Sequence, residues 1–171
     1  MQFCEIIAAK RVYDDIKYGL INNKNNPRFN INNILKHKDA NTDLFYYVLK
    51  DNNIGYLALI GIITNPLKTN IADNYSIANF QSLYHGKGYG LKLLDHTIDI
   101  FKNIWLMADP SQEKSLVEYY RNNPKLKEFI LDNSVYDKPL HFYYSINFDK
   151  RITKNLLSYI KQMFGKQNYT V

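Results

Sequence analysis

Tyr75-Ser-Ile-Ala-Asn-Phe-Gln-Ser-Leu-Tyr84, then His85-Gly86-Lys87-Gly88-Tyr89-Gly90, then Leu91-Lys-Leu-Leu-Asp-His-Thr-Ile-Asp-Ile-Phe101: the reading of this chain turns on that stretch. It enters as an apolar, strand-like run and passes through a tight turn with three closely spaced glycines. It leaves as an amphipathic helix, predicted to put Leu91, Leu94, Ile98 and Phe101 on one face. Glycine lets a ligand approach the backbone closely because no Cβ holds it off. The first N–H groups of a helix, at the positive end of its dipole, favour an anion. Strand, glycine turn and helix together predict a phosphate cradle.

Three kinds of cradle share that outline. A P-loop needs Gly-x-x-x-x-Gly-Lys followed by Ser or Thr, whereas Lys87 precedes Gly88 and no hydroxyl follows the turn. The dinucleotide fingerprint needs Gly-x-Gly-x-x-Gly, and Gly90 arrives one residue early. Asp109, after the next strand, stands where a ribose-binding acid would, which keeps an NAD-binding oxidoreductase as the runner-up. The third kind matches best. His85-Gly86-Lys87-Gly88-Tyr89-Gly90 resembles the pyrophosphate loop of the GNAT acetyltransferase superfamily, Arg/Gln-x-x-Gly-x-Gly/Ala, with His85 replacing Arg or Gln. The preceding strand is similar to that family's fourth strand, Val-x-Pro-x-Tyr-Arg, with Phe80, Ser82 and Tyr84 at the Val, Pro and Tyr places. The resemblance implies acetyl-coenzyme A as co-substrate. Its pantetheine arm would pair with the backbone of Phe80, Gln81 and Ser82, and its pyrophosphate would lie in the loop from His85 through Gly86. The amides of Lys87, Gly88, Tyr89, Gly90 and Leu91 would hold that pyrophosphate. A permissive turn with no ligand is the plainer reading of the same residues.

The rest of the chain sets bounds. Its 171 residues make one domain of ordinary size, and 46% hydrophobic with 22% charged residues describe a soluble globular protein. The single Cys4 excludes an intramolecular disulfide and suits a reducing, cytoplasmic setting. The N-terminus has no basic region, and Glu5 interrupts its short apolar run, so no signal peptide is expected. No apolar run is long enough to cross a bilayer. A net charge of +6 and a pI near 9.2 suit phosphates or an acidic partner without choosing between them.

Taken in order, residues 3–8 predict a strand, and Val12, Ile16 and Leu20 a first helix that the asparagines before Pro27 break. Asn30 is placed to cap a short second helix carrying Ile31, Ile34 and Leu35. Leu44–Leu49 and Ile54–Ile63 predict strands joined at Asp51-Asn52-Asn53. After the cradle helix, Ile104–Ala108 predicts a buried strand, and Pro110 the first turn of a helix that ends near Pro124. Phe129–Leu131 and Leu140–Ile146 predict a last strand pair. This order is the one the GNAT resemblance implies over residues 1–146: a mixed α/β fold with a central, mostly antiparallel twisted sheet flanked by helices. Residues 147–171 form an extension. Ile152, Leu156, Ile160 and Met163 share one face of a basic amphipathic helix ending at Gly165, which packs on its own domain, on a second copy in a homodimer, or on a membrane.

Acetyl transfer needs a neutral amine and gains from protonating the departing thiolate. Leu116-Val117-Glu118-Tyr119-Tyr120 is similar to the family's Ala-x-x-Leu-Tyr, which implies Tyr120 as the general acid, or Tyr119 if the alignment shifts by one. Ser111 and Gln112 occupy the region of a pantetheine-binding Asn. The predicted fourth strand carries no carboxylate, so a base falls to Asp73, Glu118 or Asn79 with a water, or the neutral amine attacks unaided. His37, His85, His96 and His141 are scattered, so no metal site is expected. Cys4 has no adjacent His to activate it, and no nucleic-acid reader motif accompanies the Lys and Tyr content. The expectation is an N-acetyltransferase acting on a small-molecule or peptide amine, a peptide N-terminus or lysine ahead of polycations, which a basic domain repels. A cofactor-binding module without turnover is the alternative.

Overall fold

The computed structural model describes residues 1–39, 43–108 and 114–167. They fall into two units, Met1–Thr64 with Ser76–Ile100 and Asn65–Tyr75 with Phe101–Val171. Asp109, Pro110, Ser111 and Gln112, expected as a ribose-binding acid, a helix start and a pantetheine contact, lie outside the described residues.

In the first unit β1 (Gln2–Ala8) leads into α1 (Ala9–Lys17), and α2 (Ile31–Leu35) follows a long asparagine-rich loop. Asn30 caps α2 as expected, its side chain accepting from the Asn33 N–H at 3.2 Å. β2 (Leu44–Asp51) and β3 (Gly55–Thr64) pair antiparallel, Val48 opposite Leu59 and Tyr46 opposite Gly61. Asp51 shapes their turn by accepting from the N–H groups of Asn53 (2.9 Å) and Ile54 (3.3 Å). With β4 (Tyr75–Ser82) the order is β1-β2-β3-β4. Alternation along β2 divides its faces. Tyr46 and Val48 join Val12 and Ile34 in a core beneath α1 and α2. Tyr47, one residue along, meets His96 of α3 (Tyr89–Ile100) on the other face, its hydroxyl 2.7 Å from Nδ1.

Two expectations for this unit are corrected. Leu20 lies beyond the end of α1 and is 61% exposed, because Gly19 turns the chain away at φ +77°. The buried stripe of α3 is Gly90, Leu93, Leu94, Thr97 and Ile98, while Leu91 stays exposed. That is the i, i+3, i+4, i+7, i+8 pattern, but a glycine and a threonine occupy two of its places, which hydropathy does not register. Phe101 follows the helix and is buried in the second unit, edge-on to Tyr75 at 5.1 Å.

The second unit contains β5 (Ile104–Ala108), α4 (Lys114–Asn122), β6 (Leu126–Leu131), β7 (Leu140–Ser145) and α5 (Lys150–Phe164). β7 lies between β5 and β6 and pairs antiparallel with both. Ile152, Leu156 and Ile160 of α5 pack with Trp105, Leu140 and Phe142, each such aliphatic side chain contributing about 1.5–3 kcal/mol when removed from water. Met163, expected on that face, is exposed near the helix end. Gly165 ends α5 in extended backbone, and the tail pairs there with residues 133–135: Val135 N donates to Phe164 O and Lys166 N to Asn133 O, both at 2.9 Å. Among the described residues, seven strands and their flanking helices make a mixed α/β, mostly antiparallel architecture. No helix among the described residues is long and apolar enough to cross a membrane.

Candidate cofactor cradle and its surroundings

The turn between β4 and α3 needs its glycines for two different reasons. Gly86 and Gly88 adopt φ of +73° and +74°, in the left-handed region, where an L side chain costs roughly 1–2 kcal/mol. Nothing lies within 4 Å of where either Cβ would stand, so the ground above them is open. Gly90 is needed for packing instead. A Cβ there would meet Cζ of Phe80 at 3.2 Å and Cβ of Ser82 at 3.6 Å, so its absence lets α3 lie close against β4.

The first backbone bond of α3 runs from Lys92 N to Gly88 O at 3.1 Å. The N–H groups of Tyr89, Gly90 and Leu91 therefore have no acceptor within the helix. Gly88 sits in the capping position and offers no side chain to satisfy them. The first turn holds no acidic residue, and Lys87 and Lys92 flank it. Tyr84 and Tyr89 close the turn edge-on at 5.9 Å. His85, Gly86, Lys87 and Gly88 are exposed. Free N–H groups, lysines on either side in sequence and no acidic residue in the first turn make a site for an anion.

The end of β4 is fastened by residues no motif pointed to. Asn26 Nδ2 donates to Ser82 O at 2.8 Å, and His85 N donates to Asn25 O at 3.4 Å. Gln81 and Asn30 exchange two bonds, Asn30 N to Oε1 at 2.5 Å and Nε2 to Asn30 O at 2.8 Å. The Gln81 side chain is therefore committed to the α2 cap. Ser82 Oγ turns back to Tyr84 O at 2.9 Å. Leu83 N donates to Leu57 O, so by strand alternation the peptide groups of Phe80 and Ser82 face away from β3. Further along β4, Asn79 lies over Gly61 of β3 and donates to the Tyr46 hydroxyl at 3.0 Å. Burial pushes the Tyr46 hydroxyl up to about 12.

Phe80 to Leu91 are thus gathered in the first unit, whereas Tyr119 and Tyr120 belong to the second. Tyr120 is 1% exposed, its ring 5.3 Å from Tyr143 and 6.2 Å from Tyr119. Burial, with those two tyrosines beside it, holds its hydroxyl well above the ordinary tyrosine value, so it stays protonated at neutral pH. Tyr143 in turn donates to Glu128 Oε2 at 2.5 Å, and Arg121 Nε reaches the same oxygen at 3.0 Å. Of the base candidates, Asp73 is exposed, its carbonyl accepting from Asn103, and Glu118 is exposed beside Lys114.

Solved structures share this architecture. A chimera of the Vibrio cholerae spermidine N-acetyltransferase SpeG and hSSAT superposes with a TM-score of 0.53 at 14% identity, over 91% of this chain and 98% of its own. The ribosomal-protein-S18-alanine N-acetyltransferase of Escherichia coli gives 0.52 at 16% identity, over 85% and 93%. Arabidopsis thaliana Naa50, in complex with the bisubstrate analogue CoA-Ac-MVNAL, gives 0.50 at 16% identity, over 84% and 97%. The chain has the GNAT fold. No family model matches the sequence, and no curated protein matches it significantly. Within the GNAT fold the glycine turn before α3 is where this chain's own geometry offers an anion site.

Proposed function

We propose that this GNAT-fold protein is a coenzyme A-dependent N-acetyltransferase, moving an acetyl group from acetyl-coenzyme A to a primary amine. The observation that carries the reading is the capless N-terminus of α3: amides of Tyr89, Gly90 and Leu91 without helical acceptors, beneath two left-handed glycines with open space above them. The diphosphate of coenzyme A is an anion of the kind such a site takes. Lys87 and Lys92 add charge, and the outward peptide groups of Phe80 with the Ser82 N–H can continue the grip along an extended arm in strand fashion.

Chemistry follows from holding the thioester beside the strand. A neutral amine attacks the carbonyl carbon, and the carbonyl electron pair moves onto oxygen. The tetrahedral intermediate then collapses with cleavage of the carbon–sulfur bond. A backbone N–H of β4 stabilises the oxyanion, the thiolate takes its proton from Tyr120, or from Tyr119, and the surplus proton of the attacking nitrogen, passed through water, restores the tyrosine hydroxyl as the amide forms. A thiol of pKa about 8.5 leaves readily, so the acid contributes a modest part of the acceleration. The neighbours named above are a spermidine acetyltransferase, a ribosomal-protein alanine acetyltransferase and a protein bound to a peptide analogue, so the fold serves several amines. A peptide N-terminus or lysine is the acceptor favoured here, on the +6 net charge.

A second reading has one observation behind it. β4 carries no carboxylate or imidazole, which suits a module that binds the cofactor without turnover. One experiment separates the two. Thermal shift with coenzyme A, acetyl-coenzyme A, NAD and ATP should show stabilisation by the first two, and a thiol-trapping assay with an amine panel should release free coenzyme A. Binding without thiol release establishes the module. Stabilisation by NAD alone overturns both.

A further inference from the structure

Beside the C-terminal half of α1 the first unit holds a cavity of about 190 Å³, lined by Arg11, Asp15, Leu20, Lys50, Ile54 and Tyr56. That is about six times the roughly 30 Å³ that a water molecule occupies in the liquid. None of these residues belongs to the cradle. Asp15 is 6% exposed, and a carboxylate so deep needs partners. Its Oδ2 has two: the Tyr56 hydroxyl donates a short bond to it, and Arg11 Nε donates at 3.3 Å. Its Oδ1 has no hydrogen bond among the described residues and is not sealed from solvent, so its lone pairs stay open to a visitor.

Lys50 faces the same cavity with its side chain 15% exposed, its ammonium 4.5 Å above the Tyr56 ring. One of its N–H groups reaches Glu5 Oε1 at 2.8 Å, and the others find no acceptor among the described residues. Leu20 and Ile54, 61% and 54% exposed, add two large aliphatic side chains to the lining. Gly19, at φ +77°, turns the chain there, and the Leu20 N–H donates to Asp15 O at 2.8 Å.

The cavity therefore offers a carboxylate oxygen open to solvent, unused ammonium donors and an aliphatic surface within the span of one small molecule. An α-amino acid with an aliphatic side chain has the complementary three parts. We propose that this cavity binds such an amino acid: its α-ammonium donates to Asp15 Oδ1, its carboxylate accepts from Lys50 and Arg11, and its side chain packs between Leu20 and Ile54. The site is independent of the cradle and does not rest on the acetyltransferase reading.

Titration calorimetry on the full chain tests it with three probes: L-leucine, leucinamide, which lacks the carboxylate, and 4-methylpentanoate, which lacks the ammonium. Leucine should bind, and each analogue should bind at least roughly tenfold more weakly, because one charged contact is then left unpaired. Lys50→Met and Ile54→Trp should weaken leucine by a similar factor. Ile54 is exposed, so its replacement leaves the fold intact even where Asp15→Asn does not. Gly88→Glu should bind leucine as the unaltered chain does, which separates this site from the cradle. Absence of leucine binding at millimolar concentration overturns the proposal. Equal binding of the three probes, or binding unchanged in both Lys50→Met and Ile54→Trp, overturns it too.

Discussion

The N-termini of α3 and α5 solve the same problem in opposite ways. Each begins a helix whose first N–H groups have no partner inside it. At α5 the chain satisfies itself. Asp149 accepts from the Arg151 N–H at 2.9 Å, the Arg151 guanidinium closes on the same carboxylate at 2.7 and 3.1 Å, and Asn103 holds the Asp149 N–H at 2.6 Å. At α3 the capping place belongs to Gly88, which brings nothing, and lysines stand where an acid would be favourable. A helix end with its own carboxylate has no use for a visiting anion. One without it does.

The comparison breaks most visibly if α3 is given a carboxylate of its own. Gly88→Glu should abolish the thermal shift with coenzyme A, since a side chain forced into left-handed backbone also places negative charge where the diphosphate would lie. Gly88→Ala, strained by roughly 1–2 kcal/mol but bringing neither charge nor acceptor, should keep most of the shift. A full shift in Gly88→Glu would remove the cradle. Tyr120→Phe changes neither helix end and should separate grip from chemistry. Turnover falls roughly tenfold with coenzyme A affinity unchanged, and an unaltered rate transfers the role to Tyr119.

Gly90→Val should cost about 1–3 kcal/mol in urea unfolding, because the added methyls meet the Phe80 ring. The smallest effect belongs to the self-satisfied end. Asp149→Ala should lower Tm by roughly 2–4 °C and leave coenzyme A binding untouched. Hydrogen bonds from the Arg151 side chain and backbone hold the Asp149 carboxyl below the ordinary carboxylate range. The stabilisation is therefore full above the ordinary value of about 3.9 and is lost as pH falls through the lowered folded value. The Tm gap between wild type and Asp149→Ala should narrow on going from pH 6 toward acid, and a constant gap would show that the carboxylate charge contributes nothing.

Local rules made the outline legible: alternation in β2 and β3, the Asn30 cap, and three glycines before an amphipathic helix. What stayed hidden is held by residues far apart in sequence. Gly90 reads as a third loop glycine, yet its reason is the Phe80 ring ten residues earlier. Leu20 continues the α1 period, but Gly19 has already ended the helix. Asn26 meets Ser82 across 56 positions and Asp15 meets Tyr56 across 41, pairings that no window along the chain can register. Tyr120 is legible only through a short similarity, while its enclosure depends on Tyr143 across the unit's packing.

His85 joins the asparagine loop through its amide and leaves the imidazole out of the bond. Whatever residue stands at that position, the peptide group remains. A hold written in main chain can outlast wholesale turnover of its letters, and chains sharing barely one residue in seven still fold alike.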